Sequence, residues 1–350
     1  MDSLRIALVA PPWFTVPPAG YGGVEWVVSH LAEGLVGRGH EVTLFAPGGS
    51  KTSARLVSAY DEAPSSLLGD AMVESYHIAH AYDRCRTGFD IVHDHTMLGL
   101  LAAAQLSVPA IHTVHGSVDA CNARLYTELA ERVHYVTVSR NQATTMPPQC
   151  RVTPIPNPVD IALFPPSEEK DDYLLFVGRM NRDKGVLSAI EIARRSERPL
   201  LILAKMNERP ERDYFEQEVR PVLAGLDVDL RDQVEHAEKA RAFARAYATL
   251  FPIQWAEPFG LVMAESMAAG TPVIAFACGA APEVIRNGTT GFLVESVDEA
   301  VDAVERIPQI RPADCRAHVQ QQFGPAVHAA RHEALYAALL GIGPHPGAEA

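Results

Sequence analysis

Short apolar runs of strand length alternate with longer segments of helical periodicity along the chain. The first run, residues 4–10, is mostly apolar and stops at two prolines, which is typical of a buried parallel strand. A Gly/Pro-rich loop follows, and residues 24–36 carry apolar side chains at helical spacing. The next strand is expected at residues 41–45, so the chain opens with a strand–loop–helix–strand unit.

The same alternation continues through the second half of the chain. Further strands are expected at residues 91–92, 110–114, 135–138, 173–177, 200–204, 249–252 and 272–276. Repeated alternation of this kind predicts an α/β fold of parallel, doubly wound, Rossmann-like sheets. Ligands of such sheets bind beyond the carboxyl ends of the strands, so we expect the functional residues in the loops that follow these runs.

A concentration of prolines marks a boundary near the middle of the chain. Prolines cluster between residues 147 and 166, and charged residues follow at 167–172. A length of 350 residues also fits two domains of common size. We therefore expect one domain at residues 1–160 and a second at residues 161–325. A final helix, about residues 324–340, is expected to cross back onto the first domain.

Composition and charge exclude several classes of protein. The chain has 30 Lys and Arg against 43 Asp and Glu, and its net charge of −13 argues against a nucleic-acid partner. No stretch approaches ~18 uninterrupted apolar residues, and the N-terminus lacks a signal-peptide pattern. A cytoplasmic protein without a membrane span is expected. The five scattered cysteines are expected to be reduced and mostly buried thiols.

A glycine-rich segment stands directly before the first predicted helix. It reads Gly20, Tyr21, Gly22 and Gly23. Free backbone N–H groups and the helix dipole at this point could bind a phosphate without obstruction by side chains. A tight turn with no ligand would use the same residues, so both interpretations stay open on this segment alone.

A second loop combines cations with glycines. After the strand at residues 173–177 come Gly178 and Arg179, and then Lys184 and Gly185. The arginine offers a bidentate fork and the lysine a compact point charge, so the pair could bind two phosphates. Solvated surface cations are the alternative.

The densest motif extends over residues 257–275. Its two carboxylates, Glu257 and Glu265, lie eight residues apart on either side of a Pro–Phe–Gly turn. The helix that begins near Leu261 carries Glu265 about one turn in. A ligand at this helix N-terminus could meet backbone N–H groups while the carboxylates accept hydrogen bonds from hydroxyls. A helix-start acid with an exposed loop acid, or a glycoside-hydrolysing pair, are the alternatives.

Taken together, these motifs resemble those of the family-4 retaining glycosyltransferases, which have the GT-B fold of two facing Rossmann-like domains. The resemblance covers nearly the whole chain and rests on ordered segments at residues 22–25, 113–116, 157–160, 178–185, 257–265 and 288–294. Two glutamates with seven residues between them are the hallmark of the family. Residues 204–206 and 252–258 look closest to a branch with enzymes of antibiotic and cell-surface sugar assembly.

The resemblance implies transfer of a hexosyl-type sugar from a nucleotide-diphosphate-sugar donor to an acceptor hydroxyl, with retention and without a metal or cofactor. The acceptor would be a sugar, a lipid-linked sugar or a natural product. The implied catalytic residues are His115, Arg179, Lys184 and Glu257. The implied donor-binding residues are Gly22, Gly23, Arg179, Lys184, Phe259, Gly260, Leu261 and Glu265. The donor would lie in a cleft, mostly on the second domain.

The implied roles divide the donor into its parts. Arg179 and Lys184 would hold the diphosphate, and Glu265 would accept the ribose hydroxyls. Glu257 would face the hydroxyls of the donor sugar, with help from the backbone at residues 259–261. Gly22 and Gly23 would approach the phosphates from the other domain, and His115 would sit beside the transferred sugar. No side chain is an obvious nucleophile, which favours same-face attack in which the leaving phosphate takes the proton.

Two segments depart from the family pattern. Residues 204–206 read Ala-Lys-Met where the family commonly has a glycine, which leaves the contacts to the base open. Residues 234–239 are shorter than the usual strand and loop, and this difference is expected to move the rim of the base pocket.

Two arrangements could in principle bind a metal ion. His93 and His95, with His112 and His115, offer imidazoles, but the single-residue spacing is expected to splay the rings of the first pair. An acceptor-facing or structural role is preferred for them. Asp227-Val228-Asp229 resembles the Asp-x-Asp of metal-dependent glycosyltransferases, but it is expected in a polar loop that does not follow a strand. No metal site is predicted.

Two other functions are compatible with this architecture. A nucleotide-sugar epimerase could use the same two domains and the same cationic loop, although the family-4 motifs argue against it. A non-catalytic protein that only binds sugar nucleotides is the second alternative. The identity of the donor sugar, the base and the acceptor depends on pocket shape, and contact with a membrane surface stays open.

Overall fold

The computed structural model describes residues 3–20, 22–167, 169–232 and 234–342, so Tyr21 of the glycine-rich segment lies outside the described residues. The chain packs as two compact units. One comprises Met1–Pro158 with Pro325–Ala350, and the other comprises Val159–Gly324. Among the described helices, none has the length and apolar character needed to cross a bilayer.

The described part of the first unit is built on one parallel sheet of seven strands. These strands are β1 (Arg5–Val9), β2 (Glu41–Phe45), β3 (Arg55–Val57), β4 (Ile91–Asp94), β5 (Ala110–Val114), β6 (Val133–Thr137) and β7 (Arg151–Pro154). Their order across the sheet is β3-β2-β1-β4-β5-β6-β7. The chain thus winds outward from β1 to β3 and resumes on the other side at β4, which places the topological switch point between β1 and β4.

Helices cover both faces of this first sheet. They are α1 (Gly23–Gly37), α2 (Ala71–Cys85), α3 (Leu100–Ala103), α4 (Ala120–Glu128) and α5 (Arg140–Thr144). Successive residues of β1 point to opposite faces: Ile6 and Leu8 pack with Leu31 of α1, whereas Ala7 and Val9 pack with residues of α2. Burial on both faces explains why the central strands read as continuous apolar runs.

The second unit repeats this architecture with six described strands. They are β8 (Leu174–Arg179), β9 (Leu200–Lys205), β10 (Val228–Asp232), β11 (Ala248–Phe251), β12 (Val273–Phe276) and β13 (Gly291–Val294). The helices are α6 (Val186–Arg195), α7 (Arg209–Tyr214), α8 (His236–Arg245), α9 (Leu261–Ala268), α10 (Ala281–Val284), α11 (Val297–Arg306) and α12 (Pro312–Phe323). The strand order β10-β9-β8-β11-β12-β13 places its switch point between β8 and β11.

The last described helix, α13 (Pro325–Leu339), packs against α1 in the first unit. Its Leu335 and Tyr336 join the same apolar cluster as Ile6 and Leu8 of β1. Beside this cluster, the exposed Arg38 and the buried His40 both bond the carboxylate of Glu333, with His40 Nε2 at 3.0 Å from Glu333 Oε1. Both apolar contacts and side-chain hydrogen bonds therefore attach α13 to the first unit.

The α/β, doubly wound fold class is confirmed, and the strands that the sequence did not predict share one property. They are β3, β7, β10 and β13, which form the four edges of the two sheets. An edge strand is covered on fewer sides, so it needs no long apolar run. Strands β3 and β7 are partly exposed along their length, and in β10 charged residues alternate with apolar ones.

The expectation that the cysteines are mostly buried was wrong. All five are free thiols, but only Cys85 and Cys315 are buried.

Candidate functional site

The switch point of the second sheet brings the two charged loops of the sequence to one edge. Strands β8 and β11 are neighbours in parallel, so the loops that follow them leave the sheet at the same end. The loop after β8 carries Lys184, and the loop after β11 carries Glu257. This is the edge at which doubly wound sheets bind ligands.

Arg179 is the last residue of β8, and two acids of the adjoining segment orient its guanidinium. Its Nε lies 2.6 Å from Glu211 Oε1, and its Nη2 lies 3.0 Å from Glu208 Oε1. The side chain of Glu211 is 3% exposed, whereas that of Arg179 is 39% exposed. Burial opposes ionisation of Glu211, but the Glu208 backbone N–H and Arg179 together hold its pKa below the ordinary value. The guanidinium is thus anchored on one side and accessible on another.

Lys184 and Glu257 contact each other directly. The Nζ of Lys184 forms an ion pair with Glu257 Oε2 and lies 5.1 Å from the centroid of the Trp255 ring. The Lys184 backbone N–H also bonds the side-chain oxygen of Asn181 at 3.2 Å. The structure therefore places one predicted phosphate ligand against one predicted sugar ligand.

Gly185 allows the loop after β8 to approach the chain after β11. Its φ is 74°, in the left-handed region that favours glycine, and a Cβ at this position would overlap the Pro252 carbonyl oxygen. The neighbouring backbone bond from Gln254 N to Asp183 O, at 2.8 Å, joins the same two loops. A glycine is thus required for Lys184 to lie beside the Glu257 loop.

Glu265 lies one turn inside α9, as the sequence predicted from the start of this helix at Leu261. Its Oε1 accepts a hydrogen bond from Lys239 Nζ of α8 at 2.8 Å, and its side chain remains 14% exposed. Gly260 precedes the helix and Phe259 is buried, so the turn that begins α9 is held by packing. Glu265 and Glu257 therefore each have a lysine partner, but a different one.

The glycine-rich segment of the first unit ends directly at α1. Gly22 is the residue before the helix, its φ is 148°, and Gly23 is the first helical residue. A Cβ on Gly22 would lie 2.8 Å from Glu25 Oε2 and 2.8 Å from Pro18 Cβ. Burial raises the pKa of Glu25 to about 7. The helix start is thus tightly packed around a carboxyl group that lies within the motif at residues 22–25 but for which no role was predicted.

His115 follows β5 and forms a hydrogen-bonded pair with His95, which follows β4. His95 Nδ1 lies 3.0 Å from His115 Nε2, and the two rings stack with centroids 5.3 Å apart. Burial, reinforced by the neighbouring histidines, lowers the pKa of both rings, that of His115 to about 3. Both imidazoles are therefore neutral at physiological pH.

The expectation that His93 and His95 splay apart was wrong. Their ring centroids lie 4.2 Å apart, because residues two apart in an extended strand point to the same face. His93 is nevertheless fully engaged: its Nδ1 lies 2.7 Å from Tyr336 Oη and its Nε2 lies 2.7 Å from Thr113 Oγ1. His112 Nδ1 bonds the buried carboxylate of Asp94 at 2.8 Å. Of the acceptor-facing and structural roles considered for His93, these contacts support the structural one.

Among the described residues, no three histidine, cysteine or acidic side chains are arranged to hold a metal ion. The Asp-x-Asp segment was misplaced by the sequence analysis: Val228 and Asp229 lie in the edge strand β10 and not in a loop. Asp229 Oδ2 lies 2.9 Å from Arg231 Nε on the same strand. A metal-independent reaction stays a prediction.

Of the predicted site residues, Lys184 and Glu257 are in contact, whereas Arg179 and Glu265 each bond other partners. Gly22, Gly23 and His115 belong to the first unit, and their contact with the same donor stays a prediction. Glu211 and Lys239 were not expected as partners of the site residues, and His95 was named only for an acceptor-facing or structural role, not as the partner of His115. Only Glu211 carried a recognisable signal, since Glu208 and Glu211 form the capping box that starts α7.

Comparison with known proteins agrees with this fold and motif set. The family model "Glycosyltransferase Family 4" matches residues 21–163, and "Glycosyl transferases group 1" matches residues 163–318. A phosphatidyl-myo-inositol mannosyltransferase of Mycolicibacterium smegmatis is 30% identical over 331 residues, covering 85% of this chain and 82% of its own. The chain therefore belongs to the family-4 glycosyltransferases of GT-B fold, and the family predicted from the motifs is confirmed.

Two solved structures show the same architecture. AviGT4, a glycosyltransferase involved in avilamycin A biosynthesis, is 27% identical with a TM-score of 0.75, covering 97% of this chain and 98% of its own. Alr3699/HepE of Anabaena, solved in complex with UDP and glucose, is 18% identical with a TM-score of 0.74, covering 96% of this chain and 100% of its own. At 18% identity, the similarity to HepE is evidence for the fold alone.

Proposed function

We propose that this glycosyltransferase moves a hexosyl group from a nucleotide-diphosphate-sugar donor to an acceptor hydroxyl, with retention of the anomeric configuration and without a metal. The observation that carries the proposal is the direct ion pair of Lys184 with Glu257 at the β8/β11 switch point. Arg179 ends β8, the strand that leads into the loop of Lys184. Cation and carboxylate chemistry thus meet at the place where the sheet binds ligands.

The diphosphate is the part of the donor that these cations fit. Arg179 presents a partly exposed guanidinium whose orientation is held by Glu211, and Lys184 adds a point charge nearby in the chain. Lys205 ends the neighbouring strand β9 in register with Arg179 and adds a third positive charge. Cations placed before the reaction stabilise the charge that develops on the leaving diphosphate, which is the task that a metal performs in other sugar transferases.

The two glutamates fit two different parts of the donor. Glu265 lies in the first turn and a half of α9, beyond the start of the helix, and accepts the ribose hydroxyls. Glu257 lies beside Lys184, where a sugar attached to the bound diphosphate begins, and accepts hydroxyls of that sugar. HepE, which shares the fold, was solved with UDP and glucose, so a uridine nucleotide is the first base to test.

The attack follows from the absence of a suitable nucleophile among the assigned residues. Glu257 is assigned to hydroxyls of the donor sugar and is ion-paired with Lys184, and His115 is a neutral ring bonded to His95. We therefore assign same-face attack by the acceptor hydroxyl: the new bond forms as the bond to the diphosphate breaks, and the departing phosphate oxygen takes the hydroxyl proton. The acceptor is a sugar, a lipid-linked sugar or a natural product.

One experiment separates transfer from the two other functions. The chain is incubated with UDP-, GDP-, ADP- and dTDP-sugars, with and without a panel of sugar, inositol and lipid-linked acceptors, in excess chelator. Glycosylated acceptor with released nucleoside diphosphate supports the proposal. Epimerised donor without release, or saturable binding without any turnover, contradicts it. Loss of turnover in chelator with rescue by manganese contradicts the metal-independent part alone.

A further inference from the structure

The His95–His115 pair places a fully buried imidazole behind a half-buried one. His95 is 4% exposed and follows β4, whereas His115 follows the neighbouring strand β5 and is only partly buried. Strands β4 and β5 run in parallel, so both residues stand at the carboxyl edge of the first sheet. Within the described residues, the hydrogen bond to His95 is the one that His115 makes. Its other ring nitrogen, Nδ1, is thus the atom left for a ligand.

The tautomers of His95 and His115 follow from which ring nitrogens can carry a proton and still find a hydrogen-bond acceptor. One neutral arrangement has His95 Nδ1–H donating to His115 Nε2; the other has His115 Nε2–H donating to His95 Nδ1. In the second arrangement His95 must carry its own proton on Nε2. That atom is buried and has no hydrogen-bond partner among the described residues, so it would be an orphaned donor. Orphaned buried N–H groups are rarer than under-used acceptors, which favours the first arrangement.

The neighbours of His95 do not offer a charged alternative. The His93 ring stacks on it at 4.2 Å between centroids, and both nitrogens of His93 are already bonded to Tyr336 and Thr113. The other facing groups are His112, bonded to Asp94, and His328 and His332 of α13. Burial and these imidazoles lower the pKa of His95 well below its ordinary value, so the ring stays neutral.

We infer that His95 is a positioning residue that fixes His115 in the tautomer protonated at Nδ1, so that His115 presents an N–H donor to a hydroxyl oxygen of a bound sugar. His95 touches no substrate and acts only through His115. A neutral donor can hold that hydroxyl, and with it the sugar ring, in one orientation during transfer without itself losing a proton. The expected effect on the rate of sugar transfer rests on the proposed function, whereas the assignment of the His115 tautomer does not.

The test reads the tautomer and the rate separately in the full chain. Two-bond ¹H–¹⁵N correlation spectra of histidine-labelled protein report which nitrogen of His115 carries the proton. We expect Nδ1 in the unsubstituted chain and in His95→Asn, whose amide can donate from about the position of Nδ1. In His95→Phe the constraint is lost, and kcat should fall roughly tenfold with little change in the donor KM, because the sugar is held less firmly in its reacting orientation while the assigned diphosphate contacts are untouched.

His134→Phe is the matched control, since it removes an imidazole of strand β6 that bonds Thr153 and lies outside the pair. It should keep both the His115 tautomer and kcat, and His95→Asn should restore kcat to within about threefold. A proton on Nε2 of His115 in the unsubstituted chain overturns the inference even if His95→Phe fails to fold. An unchanged tautomer and rate in a folded His95→Phe also overturns it. A chain that transfers no sugar defeats the proposed function and leaves the tautomer result standing.

Discussion

At the scale of single residues, the proposed donor site consists of charged side chains that already have protein partners. Arg179 bonds Glu211, Lys184 bonds Glu257 and Lys239 bonds Glu265. Each pair is partly buried, so its partners hold the side chains in place before a ligand arrives. A diphosphate or a ribose hydroxyl then binds to an oriented group, which lowers the entropy lost on binding.

Replacing Arg179 by alanine should weaken binding of a nucleoside diphosphate by about 1.5–3 kcal/mol, because hydrogen bonds to a charged group are lost. Binding of the nucleoside without phosphates should hardly change. Arg182→Ala is the control: this cation lies three residues further on, in the loop after β8, but is more exposed and bonds Glu218. Calorimetry that shows equal losses for both ligands, or equal losses for Arg179→Ala and Arg182→Ala, contradicts the assignment.

Replacing Glu265 and replacing Glu257 by glutamine should impair different properties of the enzyme. Glu265→Gln should weaken binding of the free nucleoside diphosphate by about 1–3 kcal/mol, because one carboxylate contact to hydroxyls is lost. Glu257→Gln should leave that affinity nearly intact and lower the rate of transfer by roughly 5–150-fold. Titration calorimetry and initial rates measure the two quantities. A Glu257→Gln protein that loses nucleotide affinity while Glu265→Gln keeps it would reverse the roles.

Some of these residues could be read from the sequence and their partners could not. The spacing of Glu257 and Glu265 around a Pro–Phe–Gly turn identified both acids, because the turn and the helix start are local features. The partner Lys239 lies 26 residues from Glu265 and reaches it only because α8 packs beside α9. His95 and His115 likewise meet because β4 and β5 are neighbours, a fact of sheet order that no single strand contains.

At the scale of elements, the loop from β8 to α6 is the part of the fold on which the donor site depends most. It must turn sharply at Gly185 so that Lys184 reaches Glu257. The central strands and the first helix were predictable because their apolar runs and periodicity are local. The edge strands β3, β7 and β10 were not, because their pairing partner, rather than their own pattern, makes them strands.

Gly185→Ala should destabilise the chain by about 2–5 kcal/mol, because it adds an overlap with the Pro252 carbonyl to the strain of a positive φ. Gly225→Ala is the matched control: its φ is 78°, but no atom lies within 4 Å of the added Cβ. It should cost only about 1–2 kcal/mol. Urea denaturation compares the two, and an equal cost would show that close approach of the two loops is not required.

At the scale of the whole molecule, the buried histidines are concentrated in the first unit. Burial lowers the pKa of His77, His134 and His332 to about 4 and that of His115 to about 3, from an ordinary value of 6.5. In the described second unit, only His236 and His318 have a lowered pKa, and less so. The two units should therefore respond differently to acid.

Acidification from pH 6.5 to 5 should destabilise the first unit before the second. A folded pKa below the unfolded value means that unfolding takes up protons, so stability is present above pH 6.5 and is lost as pH falls. Each such histidine lowers the free energy of unfolding by at most about 1.4 kcal/mol for each pH unit of acidification. Glu25, whose pKa is raised to about 7, takes up its proton in the folded state over the same range and offsets the effect of about one histidine.

Hydrogen exchange, corrected for the intrinsic effect of pH, measures this order unit by unit. His134→Gln should reduce the proton uptake on unfolding by about one, since it removes one histidine that is neutral in the folded state. Simultaneous loss of protection in both units, or earlier loss in the second, would contradict the expectation.

The anomeric configuration of the first product shows whether this chain transfers a sugar from a nucleotide-diphosphate donor with retention, as proposed. With the donor and acceptor that give turnover, ¹H NMR follows the anomeric proton and its coupling during the first minutes, in excess chelator. We expect a product with the same anomeric configuration as the donor and one nucleoside diphosphate released per sugar transferred. An inverted product, or a donor sugar altered without release of nucleoside diphosphate, would contradict it.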